Sequence, residues 1–314
     1  MVGKEAPSQR NVWPESLFGT SCADTYHILH MLTQIAGKIR LKQTPLVNHW
    51  WNVTLYVNST GLTTSLMPYN GRMFEIQFDF LSHSLKISTT YGDTEKIPFT
   101  DGSVAGYYNE ILNRLRSLDL QIKIWPVPVE VENPISFIDD TKILKYDPYS
   151  ANLFWRMLVQ TTRVFNRFRS GFIGKCSPVH FFWGSFDLAL TRFSGRIAPE
   201  HPKVPNVSHN VVKEAYSHEV SSCGFWPGGS FTGPLFYSYA YPEPSEYSHF
   251  PVRPSGASYS ENMREFILPY NAVSKSSNPD DTLLQFLSST YEAASITGRW
   301  DRKSLERTVV FENQ

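Results

Sequence analysis

One pattern occurs twice in this chain, and this repeat limits the folds that are open to it. In both copies a helix-like segment leads through Gly-Lys and a proline to a histidine, an aromatic cluster and a strand-like run. The first copy spans residues 24–57, with Gly37-Lys38, Pro45 and Asn48-His49-Trp50-Trp51, and the second spans residues 149–193, with Gly174-Lys175, Pro178 and His180-Phe181-Phe182-Trp183. The repeat predicts two similar halves and places His49 and His180 at matching positions.

The composition is that of a well-buried globular protein. Charged residues make up 18% of the 314 residues, below the usual fraction of about a quarter, and the formal net charge is +0. Without a net charge, no global field attracts nucleic acid or an anionic membrane. We therefore expect neither of these partners, and a small molecule is the expected partner.

Cysteine usage and the N-terminus predict a cytoplasmic location. Cys22, Cys176 and Cys223 are odd in number and widely spaced, which favours neither a disulfide framework nor a sulfur zinc site. The first ten residues are polar and lack the apolar core of a signal peptide. No segment approaches the roughly 18 apolar residues of a membrane span.

Hydrophobic periodicity predicts an α+β fold with two similar α-β4-α halves, mainly antiparallel sheets and outer helices. Helices are predicted at residues 24–40, 104–118, 149–168 and 281–294. Strands are predicted at residues 49–57, 62–67, 73–80, 85–90, 96–99, 121–125, 179–193, 235–241 and 266–268, and residues 211–220 fit either a helix or a strand. Alternation within 235–241 favours pairing in the sheet that carries 179–193.

Proline spacing divides the chain. Pro126, Pro128 and Pro134 open a stiff, extended connection. The predicted organisation is an N-terminal arm (1–20), a first half (21–125), the connection (126–146), a second half (147–306) and a C-terminal tail (307–314).

Histidines and carboxylates near aromatic clusters are the candidates for chemistry. We expect His180, His218 and Glu219 to approach one cavity, with His49 and Asp187 near it. Two imidazoles and a carboxylate would suit a divalent metal such as zinc or iron. Without a metal, His180 is a candidate general base, with Glu219 and Asp187 as catalytic carboxylates. Strand parity argues against the cluster, because His218 and Glu219 point to opposite faces of an ideal strand.

Structural roles are open for the same residues. Each histidine fits a core position bonded to a neighbouring carbonyl or carboxylate, and Asp187 would then pair with Arg192 or Arg196. Parity over an unbroken strand places Asp187 on the face opposite His180, unless Gly184 bulges the strand. The candidate ligand-binding residues are His49, Trp50, Trp51, Trp183, Arg192, Trp226 and Tyr239.

Several longer strings resemble a known family. They are residues 34–41, 47–51, 177–187, 191–196 and 214–228, which include Val47-Asn48-His49-Trp50-Trp51 and Cys223-Gly224-Phe225-Trp226-Pro227. They are similar to a mainly bacterial family that is catalogued only as domain of unknown function 5996. The resemblance extends over nearly the whole chain and implies one full-length unit, without an activity, cofactor or catalytic residue.

Three functions are compatible with these observations. The first is an enzyme with an aromatic-lined pocket that uses the His/Glu cluster on a small molecule. The second is a non-catalytic binding protein for a small molecule, and the third is a structural or scaffolding protein. The chain has no Walker loop, no GxGxxG after a strand, no GxSxG elbow and no HExxH. Histidines and carboxylates that converge in one cavity would favour the first function, and an aromatic pocket without a polar cluster would favour the second. Large exposed apolar patches without a pocket would favour the third.

Overall fold

The computed structural model describes residues 12–16, 19–204, 206–229 and 232–307. Two six-stranded antiparallel sheets and seven α-helices are found among these residues, which confirms the α+β class. Most of the predicted arm and the predicted tail beyond Arg307 lie outside the described residues. Within the described part of the chain, no helix is long and apolar enough to cross a membrane.

The first sheet follows a long helix. Helix α1 spans Thr20–Gln43, and a short 3₁₀ helix spans Asn48–Trp50. The strands are β1 (Tyr56–Val57), β2 (Gly61–Thr63), β3 (Met67–Tyr69), β4 (Arg72–Asp79), β5 (Ser84–Thr89) and β6 (Thr94–Pro98), in the order β1-β2-β4-β5-β6, and β3 also pairs with β4. Helix α2 (Val104–Ser117) follows, and the Ser103 side chain caps it by accepting from the Gly106 N–H.

The turn chemistry of this sheet is visible in the sequence. Asn70 and Gly71 both have positive φ, 46° and 80°, as a two-residue type I′ hairpin requires. They join β3 to β4. Along β4, Phe74, Ile76 and Phe78 are fully buried and alternate with partly exposed residues, so one face of the strand packs against the core.

The second sheet begins after helix α3 (Pro148–Ser170), whose first turn is capped by the Asp147 carboxylate. The remaining elements are β7 (His180–Phe182), β8 (Asp187–Ile197), α4 (His209–Ala215), β9 (His218–Trp226), β10 (Leu235–Tyr241), β11 (Ser258–Ser260), β12 (Glu265–Pro269), α5 (Tyr270–Ser274), α6 (Pro279–Thr297) and α7 (Arg302–Leu305). The strand order is β11-β12-β10-β9-β8-β7. Strand β10 pairs with β9, which pairs with β8, so the predicted pairing of 235–241 is confirmed.

The two sheets meet at one backbone bridge. The Leu55 N–H donates to the Phe181 carbonyl at 2.9 Å, and the Phe181 N–H donates to the Leu55 carbonyl at 2.8 Å. Both side chains are fully buried. The halves therefore share a core around this bridge.

The predicted strand at residues 49–57 is wrong over most of its length, since only the bridge at Leu55 and strand β1 (Tyr56–Val57) are extended pairs. His49 and Trp50 have left-handed backbones, with φ of 58° and 61°, and belong to the 3₁₀ helix. His180 opens a strand, so the two histidines do not occupy equivalent elements and the repeated unit breaks down there. The aromatic run gave the same pattern in both places because periodicity does not reveal backbone turns. The strand predicted at 121–125 is also absent, since this segment carries neither helix nor strand.

The predicted strand at 179–193 is broken by a turn. Residues 183–186 form turns, Phe186 has a φ of 60°, and Asp187 pairs with Phe182 across the resulting hairpin. Directly paired residues of an antiparallel hairpin lie on the same face. Asp187 therefore shares the face of Phe182 and His180, and the prediction that placed it opposite His180 in an unbroken strand is wrong.

Candidate functional site

A cavity of about 300 Å³ lies on one face of the second sheet, and we call it the central cavity. The sheet residues that line it share one face of four neighbouring strands, β7 to β10: Phe182, Asp187, Ala189, Thr191, Phe193, Val220, Ser222, Tyr237 and Tyr239. Residues from α4, from the 3₁₀ helix and from the connection between the halves also line the cavity, including His49, Trp51, Glu130 and Tyr216. Aromatic walls and a few polar groups are typical of small-molecule sites.

Asp187 is the buried carboxylate of the central cavity. It is 5% exposed, and it accepts hydrogen bonds from the Ser185 hydroxyl and the Tyr237 hydroxyl. Burial raises the pKa of Asp187 above its usual value. Among the described residues no Lys, Arg or His forms an ion pair with it, contrary to the expected pair with Arg192 or Arg196. A buried acid without a cation is costly unless it is protonated or has a functional role.

Glu130 brings a second carboxylate to the same cavity. Its backbone has a φ of 59°, and its N–H donates to the Asn206 carbonyl at 3.3 Å. The residue as a whole is exposed, and it lines the central cavity together with two adjoining cavities. Desolvation of its carboxylate and the charge of Asp187 raise the pKa of Glu130 to about 7.

Helix α1 holds the backbone beside Glu130 through Gln34. The fully buried Gln34 amide donates to the Val129 carbonyl at 2.7 Å and accepts from the Val129 N–H at 3.1 Å. His30 donates through Nε2 to the Gly184 carbonyl at 2.9 Å, and burial lowers the pKa of His30 to about 4, which keeps it neutral. These bonds tie the Glu130 segment and the turn before Asp187 to one helix.

Tyrosines form the polar wall beside Asp187. The Tyr216 and Tyr239 hydroxyls are 3.0 Å apart, and the Tyr237 and Tyr239 rings are nearly parallel, with centroids 6.3 Å apart. Glu265 lies near this group, and its pKa is raised to about 7 by burial and by the charge of Asp187. The tyrosine hydroxyls and the Glu265 carboxyl group can therefore donate and accept hydrogen bonds, and none of these groups carries a positive charge.

Two further cavities share Glu130 with the central cavity. The Trp226 cavity, about 320 Å³, is also lined by Tyr26, His30 and Phe186, and the Lys38 cavity, about 220 Å³, is also lined by Trp50, Trp183 and Asn206. Five non-glycine residues with left-handed backbones line these three cavities: His49, Trp50, Glu130, Phe186 and Asn206. Such conformations are uncommon and cluster at functional sites.

His49 is fixed in one tautomer at the edge of the central cavity. Its Nδ1–H donates to the Glu214 carbonyl at 3.0 Å, so its Nε2 accepts from the Lys175 ammonium at 2.6 Å. Burial and the Lys175 charge lower the pKa of His49. The Lys175 ammonium lies 5.6 Å from the centroid of the Trp51 ring, which shows that this aromatic corner accommodates a cation.

The predicted metal cluster of His180, His218 and Glu219 does not form. His180 lies fully buried among Trp51, Tyr56 and Phe182, and it lines none of the three cavities. The Glu219 carboxylate accepts from Arg196 Nη2 at 2.6 Å and from Ser194 Oγ at 2.9 Å, outside the cavities. Within the described ranges no group of three His, Cys, Asp or Glu could hold a metal ion. Alternation along β9 separates His218 from Glu219.

His218 and Arg192 also lie away from the cavity wall. His218 is hydrogen bonded through Nδ1 to Ser217 Oγ at 3.0 Å, and its ring lies 5.9 Å from that of His49. Arg192 occupies the opposite face of β8, where its guanidinium stacks 3.5 Å from the centroid of the Phe168 ring and 4.4 Å from that of Tyr291. Arg192 therefore contacts the helix layer, and the structure separates it from the other predicted ligand-binding residues.

The remaining predicted residues divide among the three cavities. Trp51 and Tyr239 line the central cavity, Trp226 lines the cavity named after it, and Trp50 and Trp183 line the Lys38 cavity. Trp183 Nε1 donates to the Val53 carbonyl at 2.9 Å. The indole packs on Gly37, where a β-carbon would stand 2.2 Å from Nε1.

Sequence reasoning missed Glu130 and Tyr216. Glu130 lies between two valines in the proline-rich connection, a segment that was predicted only as a spacer. An acidic residue between apolar residues in such a segment was the available signal. Nothing local marks Tyr216, because its role depends on the contact with Tyr239, which follows it only after a whole strand.

Comparison with known proteins identifies a family. Residues 13–307 match the model of a family described as "Family of unknown function (DUF5996)", which confirms the resemblance found in the sequence. No curated protein and no solved structure matches the chain.

Proposed function

We propose that this chain, which belongs to the DUF5996 family, is an enzyme that binds a small molecule in the central cavity and transfers protons through Glu130 and Asp187. One observation carries the proposal. The two carboxyl groups line one aromatic cavity, neither has a cationic partner among the described residues, and the charge of one raises the pKa of the other. Carboxyl groups whose pKa values are raised inside a cavity are candidates for acid–base catalysis.

The surroundings of the two carboxyl groups suggest different roles. Glu130, with a pKa of about 7, is present in both protonation states near neutral pH and suits a general acid or base. Asp187 receives hydrogen bonds from Ser185 and Tyr237, which fix its orientation. We assign Glu130 to proton exchange with the substrate. Asp187 and Tyr237 would hold a polar group of the substrate against the sheet, and Trp51, Phe182 and Phe193 would contact its apolar part.

The test begins with a ligand screen. Wild-type protein is screened by thermal shift against small aromatic and aliphatic molecules that carry one polar group, and each ligand found is then followed by NMR for turnover. Glu130→Gln and Asp187→Asn are expected to lower turnover by about 10²- to 10⁴-fold, the usual contribution of a general acid or base. Glu219→Gln is the matched control, because this carboxylate lies on the same sheet but outside the cavities.

Two outcomes would contradict the enzyme proposal. Equal turnover by the wild type, Glu130→Gln and Asp187→Asn would show that neither carboxyl group takes part in the reaction. Ligands that bind with affinity dependent on Asp187 but never turn over would instead support the second candidate, a non-catalytic binding protein. That candidate is favoured by the internal hydrogen bonds of Asp187 and of the Tyr216–Tyr239 pair, which hold the wall in one arrangement.

A further inference from the structure

Lys38 is a buried amine that lines a largely apolar cavity. It lies near the end of α1 and is 7% exposed, and it shares the Lys38 cavity with Leu41, Val53, Val129, Phe182 and Val211. Its Nζ lies 5.9 Å from the centroid of the Trp183 ring. An ammonium group in such surroundings loses hydration, and a contact with an aromatic ring compensates for only part of this loss.

Lys38 lacks the partner that a buried lysine usually has. Among the described residues its side chain makes no ion pair and no hydrogen bond, whereas the partly buried Lys86 pairs with Asp79. Desolvation alone lowers the pKa of Lys38 to about 8. A much larger fraction of this amine is therefore neutral, and hence nucleophilic, at physiological pH than for an ordinary lysine.

We propose that Lys38 is a nucleophile that forms an imine with a small, mainly apolar aldehyde or ketone bound in the Lys38 cavity. The volume of about 220 Å³ and the walls formed by Trp50 and Trp183 suit a carbonyl compound with an aromatic or branched aliphatic group. The covalent bond would compensate for the absence of polar partners around the amine.

The proposed reaction is a condensation that needs no further reagent. The neutral amine attacks the carbonyl carbon and gives a carbinolamine, after the nitrogen loses a proton and the oxygen gains one. The hydroxyl group and the remaining N–H proton of the carbinolamine then leave together as water, which forms the C=N bond, and hydrolysis reverses the sequence. None of these steps requires the Glu130–Asp187 pair, so either proposal can fail without the other.

The test traps the imine by reduction. Full-length protein is incubated at pH 7 with benzaldehyde and cyanoborohydride, and the benzylated lysines are quantified by peptide mass spectrometry. Lys42 is the internal control, because it is exposed one turn further along the same helix. We expect Lys38 to be labelled about tenfold or more faster than Lys42, since its neutral fraction is larger and its cavity retains the aldehyde. Equal labelling of the two lysines would overturn the proposal.

A cavity-filling variant distinguishes binding of the aldehyde in the Lys38 cavity from the intrinsic reactivity of the Lys38 amine. Val211 lines the Lys38 cavity from helix α4, and Val211→Trp is expected to reduce labelling of Lys38 to the level of Lys42 without changing Lys42 itself. Circular dichroism checks the fold, and Ser208→Trp, at another lining position, replaces the variant if it does not fold. Undiminished labelling of Lys38 in a folded, filled variant would contradict binding of the aldehyde in this cavity.

Discussion

The Glu130 carboxylate lies directly over the α-carbon of Gly184, so that a β-carbon at position 184 would stand 2.1 Å from Glu130 Oε1. This contact connects the proline-rich segment between the halves with the turn that precedes Asp187. Only the absence of a side chain at 184 allows the two carboxyl groups to share one cavity. Gly184 is therefore a determinant of the site although it contributes no functional group.

Gly184→Ala tests this relationship. The group that must move is the flexible end of the Glu130 side chain, so we expect a loss in the free energy of unfolding of less than about 1 kcal/mol. The displaced carboxylate should become better hydrated and move away from the charge of Asp187, so its pKa should fall from about 7 toward the usual value. Carbon-13 NMR of labelled glutamate follows the titration. An unchanged Glu130 titration in the variant would contradict the contact.

Gln34 is expected to hold the Glu130 segment in place. Gln34→Met removes the donor and the acceptor that satisfy the Val129 carbonyl and N–H, and leaving two backbone groups unpaired should cost about 2–4 kcal/mol. Thr33→Val is the matched control, because among the described residues the neighbouring Thr33 hydroxyl donates only to the carbonyl of His30 in its own helix. Urea unfolding measures both variants. A loss for Gln34→Met no larger than that for Thr33→Val would exclude the proposed role.

The sequence predicted the regular elements well because their signals are local. The helix at residues 149–168 is recognisable from Asp147-Pro148, a cap followed by proline, and the structure places α3 at Pro148–Ser170. Asn70-Gly71 is likewise a local sequence signal for the hairpin that joins β3 to β4. In both cases the conformation of a segment is determined by the residues of that segment itself.

The two aromatic clusters were misread because their conformation depends on distant partners. Residues 183–186 turn where Trp183 packs on Gly37 and donates to Val53, and His49 adopts its left-handed backbone where it bonds to the carbonyl of Glu214. Period-two alternation contains no information about these contacts. The candidate site was predicted only in part for the same reason. Asp187 and Tyr239 were identified, and Glu130 was missed.

Arg192 is predicted to be replaceable by an apolar residue but not by lysine. Its guanidinium stacks on Phe168 and Tyr291 and donates to the Phe168 carbonyl. It forms no ion pair with a carboxylate among the described residues, so Arg192→Met should change stability by less than about 1 kcal/mol or increase it. Arg192→Lys keeps the charge but loses the planar stacking, and we expect a loss of about 2 kcal/mol or more. Thermal and urea unfolding compare the two. A larger loss for methionine than for lysine would show that the charge itself is required.

His180 provides the last prediction, because it is fully buried and neither of its ring nitrogens has a hydrogen-bond partner in the part of the chain that the structure describes. An unpaired buried polar group costs about 1–3 kcal/mol, so His180→Leu, which is similar in volume, should stabilise the protein by about 1 kcal/mol at pH 7. Urea unfolding at a fixed pH measures this gain.

The stability gain of His180→Leu over the wild type should increase as the pH falls. Burial lowers the pKa of His180 to about 3, so between pH 6.5 and about 3 the unfolded chain binds a proton at this residue and the folded protein does not. The wild type therefore loses stability as the pH falls through this window, by up to about 1.4 kcal/mol per pH unit, and His180→Leu does not lose this contribution. The advantage of His180→Leu should thus be larger at pH 5 than at pH 7, whereas His249→Leu, at an exposed site, should give little change at either pH. If His180→Leu were instead destabilising at both pH values, the prediction would be wrong. His180 would then have to donate or accept a hydrogen bond in solution, and it would again be a candidate catalytic residue.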